Sequence, residues 1–236
     1  MVAARTARAA AKPHAATKRA AKPRATPRRS VAARKPASRP ALRIAPLTAA
    51  NWPDLEALFG PRGACGGCWC MFMRLPLAEF RAGKGEGNRR ALRALACRRP
   101  PGLLAYAGTE PVGWIAVAPR EEYVRLANSR ILAPVPGEGV WAAPCFYVKA
   151  GHRGAGVSGA LLAAAAEFAR SQGARSLEGY PNTNTAGPQP AAFVWTGFES
   201  VFRRAGFTEV ARRSPKRPIL RRELAPVRTK RQARRG

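Results

Sequence analysis

From Arg153 to Gly159 the chain reads Arg-Gly-Ala-Gly-Val-Ser-Gly, a turn of small residues with a cation at its head. An apolar run, Val140 to Val148, has the length and composition of a strand and leads into it. An alanine- and leucine-rich run through Arg170 follows it as a helix. A helix start leaves backbone N–H groups without intrahelical acceptors and carries the positive end of the macrodipole, so glycines there let an anion approach the bare main chain. The chemistry on offer is the holding of a phosphate or diphosphate.

Spacing separates the known turns of this kind. The nucleotide P-loop needs Gly, four residues, then Gly-Lys-Ser/Thr, and no such string occurs. Gly154, Gly156 and Gly159 do satisfy Gly-x-Gly-x-x-Gly, and Glu178 falls near the distance of the acidic residue that a dinucleotide site places on its next strand. Too few residues follow, however, for a doubly wound sheet with its own substrate domain. The stretch from Arg153 through Leu162 matches another turn better. It resembles the Arg/Gln-x-x-Gly-x-Gly/Ala pyrophosphate loop of the GCN5-related N-acetyltransferases, the GNAT superfamily, with Ser158 where those enzymes usually carry Gly or Ala. Arg204-Ala205-Gly206-Phe207 is similar to the Gly-Phe that closes a late helix in that family. The resemblance spans roughly residues 41–225.

It implies a single α/β (α+β) domain with a mixed, mostly antiparallel sheet flanked by helices, and transfer of an acetyl group from acetyl-CoA to an amine. The pantetheine arm would lie along the backbone of Phe146, Tyr147 and Val148. The pyrophosphate would rest on Arg153, Gly154, Ala155, Gly156, Val157, Ser158 and Gly159, and Asn182 or Asn184 would touch the cofactor arm. Many members protonate the departing thiolate with a Tyr four residues before the closing Gly; here that residue is Phe202, which has no proton to give. Tyr180 is the nearest substitute by topology. Glu178, two residues earlier, shares its face of a strand and is the matching base, unless it simply pairs with one of the many arginines. Glu199 is a second carboxylate of the same standing.

Cys65-x-x-Cys68-x-Cys70 has the density of a ligand set, but a structural zinc site wants four ligands, usually in two pairs. Cys97 and Cys145 stand alone and His152 belongs to the loop, so no metal is expected. In the resembled family the region from Gly60 to Arg74 lines the acceptor side, and these thiols read as apolar lining. Cys145 reads as a small buried hydrophobe on the central strand.

Around the loop the periodicities give a first strand over Leu42 to Leu47, then a helix from Trp52 to Phe59 capped by Thr48, and a helix from Arg89 to Ala96. Strands Leu103 to Ala107 and Val112 to Ala118 form a hairpin. A helix beginning at Arg120 runs through Ile131, a departure from the resembled family, beside the substrate mouth. After the long helix come a fifth strand, Ser176 to Pro181, a loop to Pro190, and a helix from Ala191 to Ala205. Strands Thr208 to Arg212 and Ile219 to Leu224 close the chain.

Composition divides the chain. Residues 1–40 hold 12 Lys and Arg and no acid, with almost nothing large and apolar to bury, which predicts a disordered basic tail; residues 226–236 add five more basic residues. The middle keeps 25 basic against 13 acidic residues. That surplus argues against polyamine acceptors. A tail so positive suits non-specific nucleic acid through counterion release, which would add nucleoid association. The alternative function is accordingly a polyanion-binding protein whose acyl-CoA-binding core has little activity. A solvated extension or an organellar transit peptide are the other readings of the tail, the latter weakened by its lack of an apolar face. No run is long and apolar enough to span a bilayer and no signal peptide is visible, so a soluble cytoplasmic protein is expected.

Overall fold

In the computed structural model, apolar alternation and turn residues resolve into seven strands and six α-helices among the described residues, 41–183 and 195–226. The strands are β1 (Leu42–Pro46), β2 (Gly102–Ala107), β3 (Glu110–Pro119), β4 (Val140–Val148), β5 (Ser176–Gly179), β6 (Thr208–Arg212) and β7 (Pro218–Glu223). The helices are α1 (Trp52–Phe59), α2 (Leu77–Ala82), α3 (Glu86–Arg98), α4 (Val124–Ala127), α5 (Val157–Ser171) and α6 (Glu199–Arg204). All belong to one unit, Ser38–Gly236. The strands form one sheet in the order β1-β2-β3-β4-β5-β7-β6, antiparallel throughout except for the parallel pair β4 and β5.

Period-two alternation gives the sheet two apolar faces. Ile115 and Val117 of β3 and Phe146 of β4 pack beneath Leu161, Leu162 and Ala165 of α5. Trp114 and Ala116, on the opposite face of β3, pack with Leu55 of α1 and Leu92 of α3. Burying a side chain of this size stabilises by about 1.5–3 kcal/mol, so the two layers fix where α5 begins.

Three predicted elements change. Thr48 does not cap α1: Asn51 stands at that position, and its Oδ1 accepts from the Thr48 amide at 2.7 Å. The helix expected from Arg120 to Ile131 is a 3₁₀ turn, Arg120–Glu122, and the single turn of α4, split at Tyr123, whose φ of −102° and ψ of 72° are not helical; guanidinium donors hold the carbonyls of the loop beyond. Arg120 donates to the Val135 carbonyl at 2.7 Å, Arg221 to Pro136 at 2.9 Å, and Arg213 to Ala133 at 2.7 Å. The last helix, expected from Ala191, starts only at Glu199. Residues 191–194 lie outside the described part, and Trp195 to Phe198 form a turn and a bridge rather than helix.

β4 and β5 pair over four residues, Val140 with Ser176 through Ala143 with Gly179, and then part. The next residue of β4 is Pro144, which has no N–H to continue the ladder, and β5 runs out two residues before Pro181. Into the base of the gap Phe202 inserts its ring, fully buried, at 5.7 Å from Phe146 and 5.2 Å from Phe207. Gly179 makes room for it: a Cβ there would stand 1.9 Å from Phe202 Cε1. Gly179→Ala is therefore expected to destabilise the fold by about 1–3 kcal/mol, read as a lowered denaturant midpoint, and Gly179→Ala with Phe202→Leu to recover part of the loss.

Candidate functional site

A cavity of about 1020 Å³ opens where β4 leaves β5. One end is the glycine turn. Gly154 and Gly156 take φ of +75° and +85°, a left-handed geometry that favours glycine, and Gly156 is the N-cap of α5 with no side chain bonded to the helix start. The first amides of α5, at Val157, Ser158 and Gly159, have no intrahelical acceptor, and all three residues line the cavity. Arg153 stands at the same end, its Nε on the Val148 carbonyl at 3.2 Å. Arg204 of α6 and Arg222 of β7 also line the cavity, two cations that sequence reasoning missed because nothing local marks them.

The middle of the cavity runs along the edge of β4 that β5 leaves bare. Phe146, Tyr147 and Val148 line it, as the loop residues Arg153, Gly154 and Gly156 do. Ala155 is instead packed against the core under α5. Part of the bare edge is used by the chain itself, since the Phe146 amide donates to the Trp195 carbonyl at 2.6 Å.

The far end is built from the segment after α1. Cys65, Cys68, Cys70, Phe72 and Met73 line it, and Phe80 of α2 joins them. Trp69 and Cys70 hold positive φ, 43° and 53°, a strained pair that turns the chain back toward β4. Cys70 Sγ thereby comes within 3.2 Å of Cys145 Sγ and accepts from Trp114 Nε1 at 3.1 Å. Burial and then the neighbouring Cys70 push the Cys68 thiol up to about 12. The contact with Cys70 and burial hold Cys145 well above an ordinary thiol. Among the described residues no three His, Cys, Asp or Glu converge as a metal site.

Glu178 and Tyr180 are brought together, with the Tyr180 hydroxyl donating to Glu178 Oε2 at 2.8 Å, but neither lines the cavity. Both are fully buried, and Glu178 Oε1 also accepts from Arg221 at 2.6 Å and Arg120 at 3.3 Å. The arginine pairing weighed from sequence is the geometry found. Burial and then Glu178 raise the Tyr180 hydroxyl well above its usual value, which opposes its giving up a proton. Phe202, at the position of the family's Tyr, faces the core while its neighbours Val201 and Ala205 face the cavity. Glu199 accepts from Thr183 at 2.5 Å and pairs with Arg212; burial raises its pKa, and these donors outweigh that and hold it below the usual range. Asn182 bonds to Thr196 and Arg217 and is not part of the lining, and Asn184 lies outside the described residues. So do both basic tails, on which the polyanion reading rests. Among the described residues no helix is long and apolar enough to cross a membrane.

Two measurements check this arrangement. Glu178→Ala leaves two buried guanidinium groups unpaired and is expected to cost about 3–5 kcal/mol of stability by denaturant titration, whereas Tyr180→Phe keeps the ion pairs and costs far less. A thiol with a raised pKa keeps its proton to higher pH, so at pH 8 the Cys68 thiolate fraction is on the order of 10⁻⁴. Alkylation at that pH, mapped by mass spectrometry, is expected at the exposed Cys65 and Cys97 long before Cys68; equal labelling of all three would contradict the geometry.

A family model described as "Acetyltransferase (GNAT) family" matches residues 69–187. No curated protein matches the chain. Among solved structures it is similar to the PaiA N-acetyltransferase from Thermoplasma acidophilum in complex with coenzyme A, at 13% identity and TM-score 0.46 over 78% of this chain and 99% of that one. An acetyltransferase from Thermus thermophilus shares 21% identity, TM-score 0.44, over 78% of this chain and 97% of its own. A ribosomal-protein-alanine N-acetyltransferase from Brucella melitensis shares 18%, TM-score 0.41, over 77% and 99%. With a matching model over half its length, the chain belongs to the GNAT acetyltransferase family.

Proposed function

We propose that the chain transfers the acetyl group of acetyl-CoA, the co-substrate of its family, to the nitrogen of an amine held at the cysteine- and aromatic-lined end of the cavity. Residues 41–225 are the acetyltransferase domain, flanked by basic extensions at 1–40 and 226–236. The observation that carries the reading is the start of α5. Three acceptor-free amides, a left-handed Gly156 and Arg153 converge on one end of a cavity that continues along the bare edge of β4.

The residues present fit the cofactor. A diphosphate at Gly156 meets the helix dipole and Arg153, and Arg204 and Arg222 offer further cationic contacts to its anionic end. The thioester supplies an activated acyl carbon. The chain's part is to hold that carbon and the amine in line and to exclude water, which is where most of the gain in a two-substrate transfer arises. On the wall of that end the Tyr147 hydroxyl and the thiols of Cys65, Cys68, Cys70 and Cys145 can carry a proton, while Glu178 and Tyr180 pair with each other and with arginines away from the wall.

Calorimetry of the full chain with coenzyme A tests this. Binding is expected, and Gly156→Asp, which forces a side chain into the left-handed position and sets a carboxylate at the positive helix end, is expected to weaken it at least tenfold, about 1.4 kcal/mol. No binding by the unaltered chain, or equal binding by the variant, would overturn the reading.

A further inference from the structure

All 13 Asp and Glu residues of the chain lie among the described residues, because segments 1–40, 184–194 and 227–236 contain none. None of them lines the cavity. Most are engaged elsewhere: Asp54 by the Tyr106 hydroxyl, Glu56 and Glu86 by Arg89, Glu110 by Lys149, Glu122 by Arg74, Glu138 by Arg175, Glu167 by Arg170, and Glu178, Glu199 and Glu209 by arginines of the last strands. The charged residues on the wall are Arg153, Arg204 and Arg222, with His152 beside them. An ammonium seated at the cysteine- and aromatic-lined end meets no carboxylate there, and moving a cation onto an apolar wall without a counterion is costly. A protonated nitrogen also has no lone pair to attack with. An aliphatic amine of pKa near that of lysine is free base to only about one part in a thousand at pH 7, and this wall offers no carboxylate to take the proton from the rest.

We propose that the acceptor is an aromatic amine, whose lone pair is delocalised into its ring and whose nitrogen is therefore uncharged at neutral pH, seated against Phe72, Phe80 and Trp195. The proposal deepens the acetyl-transfer reading and rests on it. Phe72 stands at the centre of the seat, 5.3 Å from Phe80 at 84° and 5.6 Å from Trp195 at 81°, and all three rings are half-buried with the cavity before them. A fourth flat ring enters such a cluster edge-to-face, the arrangement aromatic pairs prefer. The guanidinium of Arg125 lies over the Phe72 ring, 4.1 Å from its centroid, so the chain itself already fills a cation–π position on that ring, and the thiols of Cys68 and Cys145 line the wall beside it. The step needs no base: the amine lone pair attacks the thioester carbonyl carbon, the C–N bond forms as the C–S bond breaks, the bonding pair goes to sulfur, and the proton shed by nitrogen ends on that sulfur. Amine and acetyl-CoA give the N-aryl acetamide and free coenzyme A thiol.

The full chain, acetyl-CoA and either 4-methylaniline or spermidine, with products counted by mass spectrometry, test the proposal, alongside calorimetry with coenzyme A. The expected result is a kcat/KM at least a hundredfold higher for 4-methylaniline at pH 7, nearly flat from pH 6 to 8. Phe72→Ala, and separately Phe80→Leu, which keeps apolar volume but removes a ring, raise its KM about tenfold without changing affinity for coenzyme A. Cofactor binding with spermidine preferred, or with no turnover of the aromatic amine, overturns the acceptor class and leaves the cofactor site standing. Absence of cofactor binding overturns both.

Discussion

Four backbone pairs join β4 to β5, and the fifth is never made. Everything that matters to the site follows from that interruption. Pro144 withholds an amide where the parallel ladder would go on, and Pro181 turns the neighbouring strand away. A sheet left open in this way exposes main-chain donors and acceptors that need partners, so the gap favours an extended, amide-bearing ligand as well as enclosing volume. α5 is anchored by Leu161, Leu162 and Ala165 on the strands beside the gap, and its first turn is thereby aimed at the gap's end. The wedge of Phe202 over Gly179 keeps the two strands from closing again.

Charge is distributed by the same economy. The chain has far more guanidinium groups than carboxylates. Its carboxylates are drawn into the framework, and arginines left over bond to carbonyls of an irregular loop, as Arg213 does at Ala133 and Arg221 at Pro136. What remains on the cavity wall is therefore basic. That suits the anionic end of a nucleotide thioester, while the opposite end is lined by thiols and aromatic rings.

The parts legible in the sequence were those set by local rules. The bounds of β4 and of α1, the glycine turn and the sharing of one face by Glu178 and Tyr180 all follow from periodicity, turn chemistry or motif spacing. The parts that were not legible depend on distant residues. Helical spacing from Tyr123 to Ile131 yields only the single turn of α4, and the loop that follows is held by Arg120, Arg213 and Arg221, the last two drawn from some eighty positions away. Phe80, Trp195, Arg204 and Arg222 reach the cavity only because the tertiary fold carries them there. Asn182 is engaged by Thr196 and Arg217, which no local feature of the sequence marks as its neighbours.

Trp195 belongs to both halves of the site. Its carbonyl occupies the Phe146 amide on the bare strand edge, and its ring is a wall of the apolar end. Any ligand that claims that amide must first break a 2.6 Å bond and push the peptide aside, carrying the indole with it. The strand edge and the apolar end of the cavity are thus coupled through one residue.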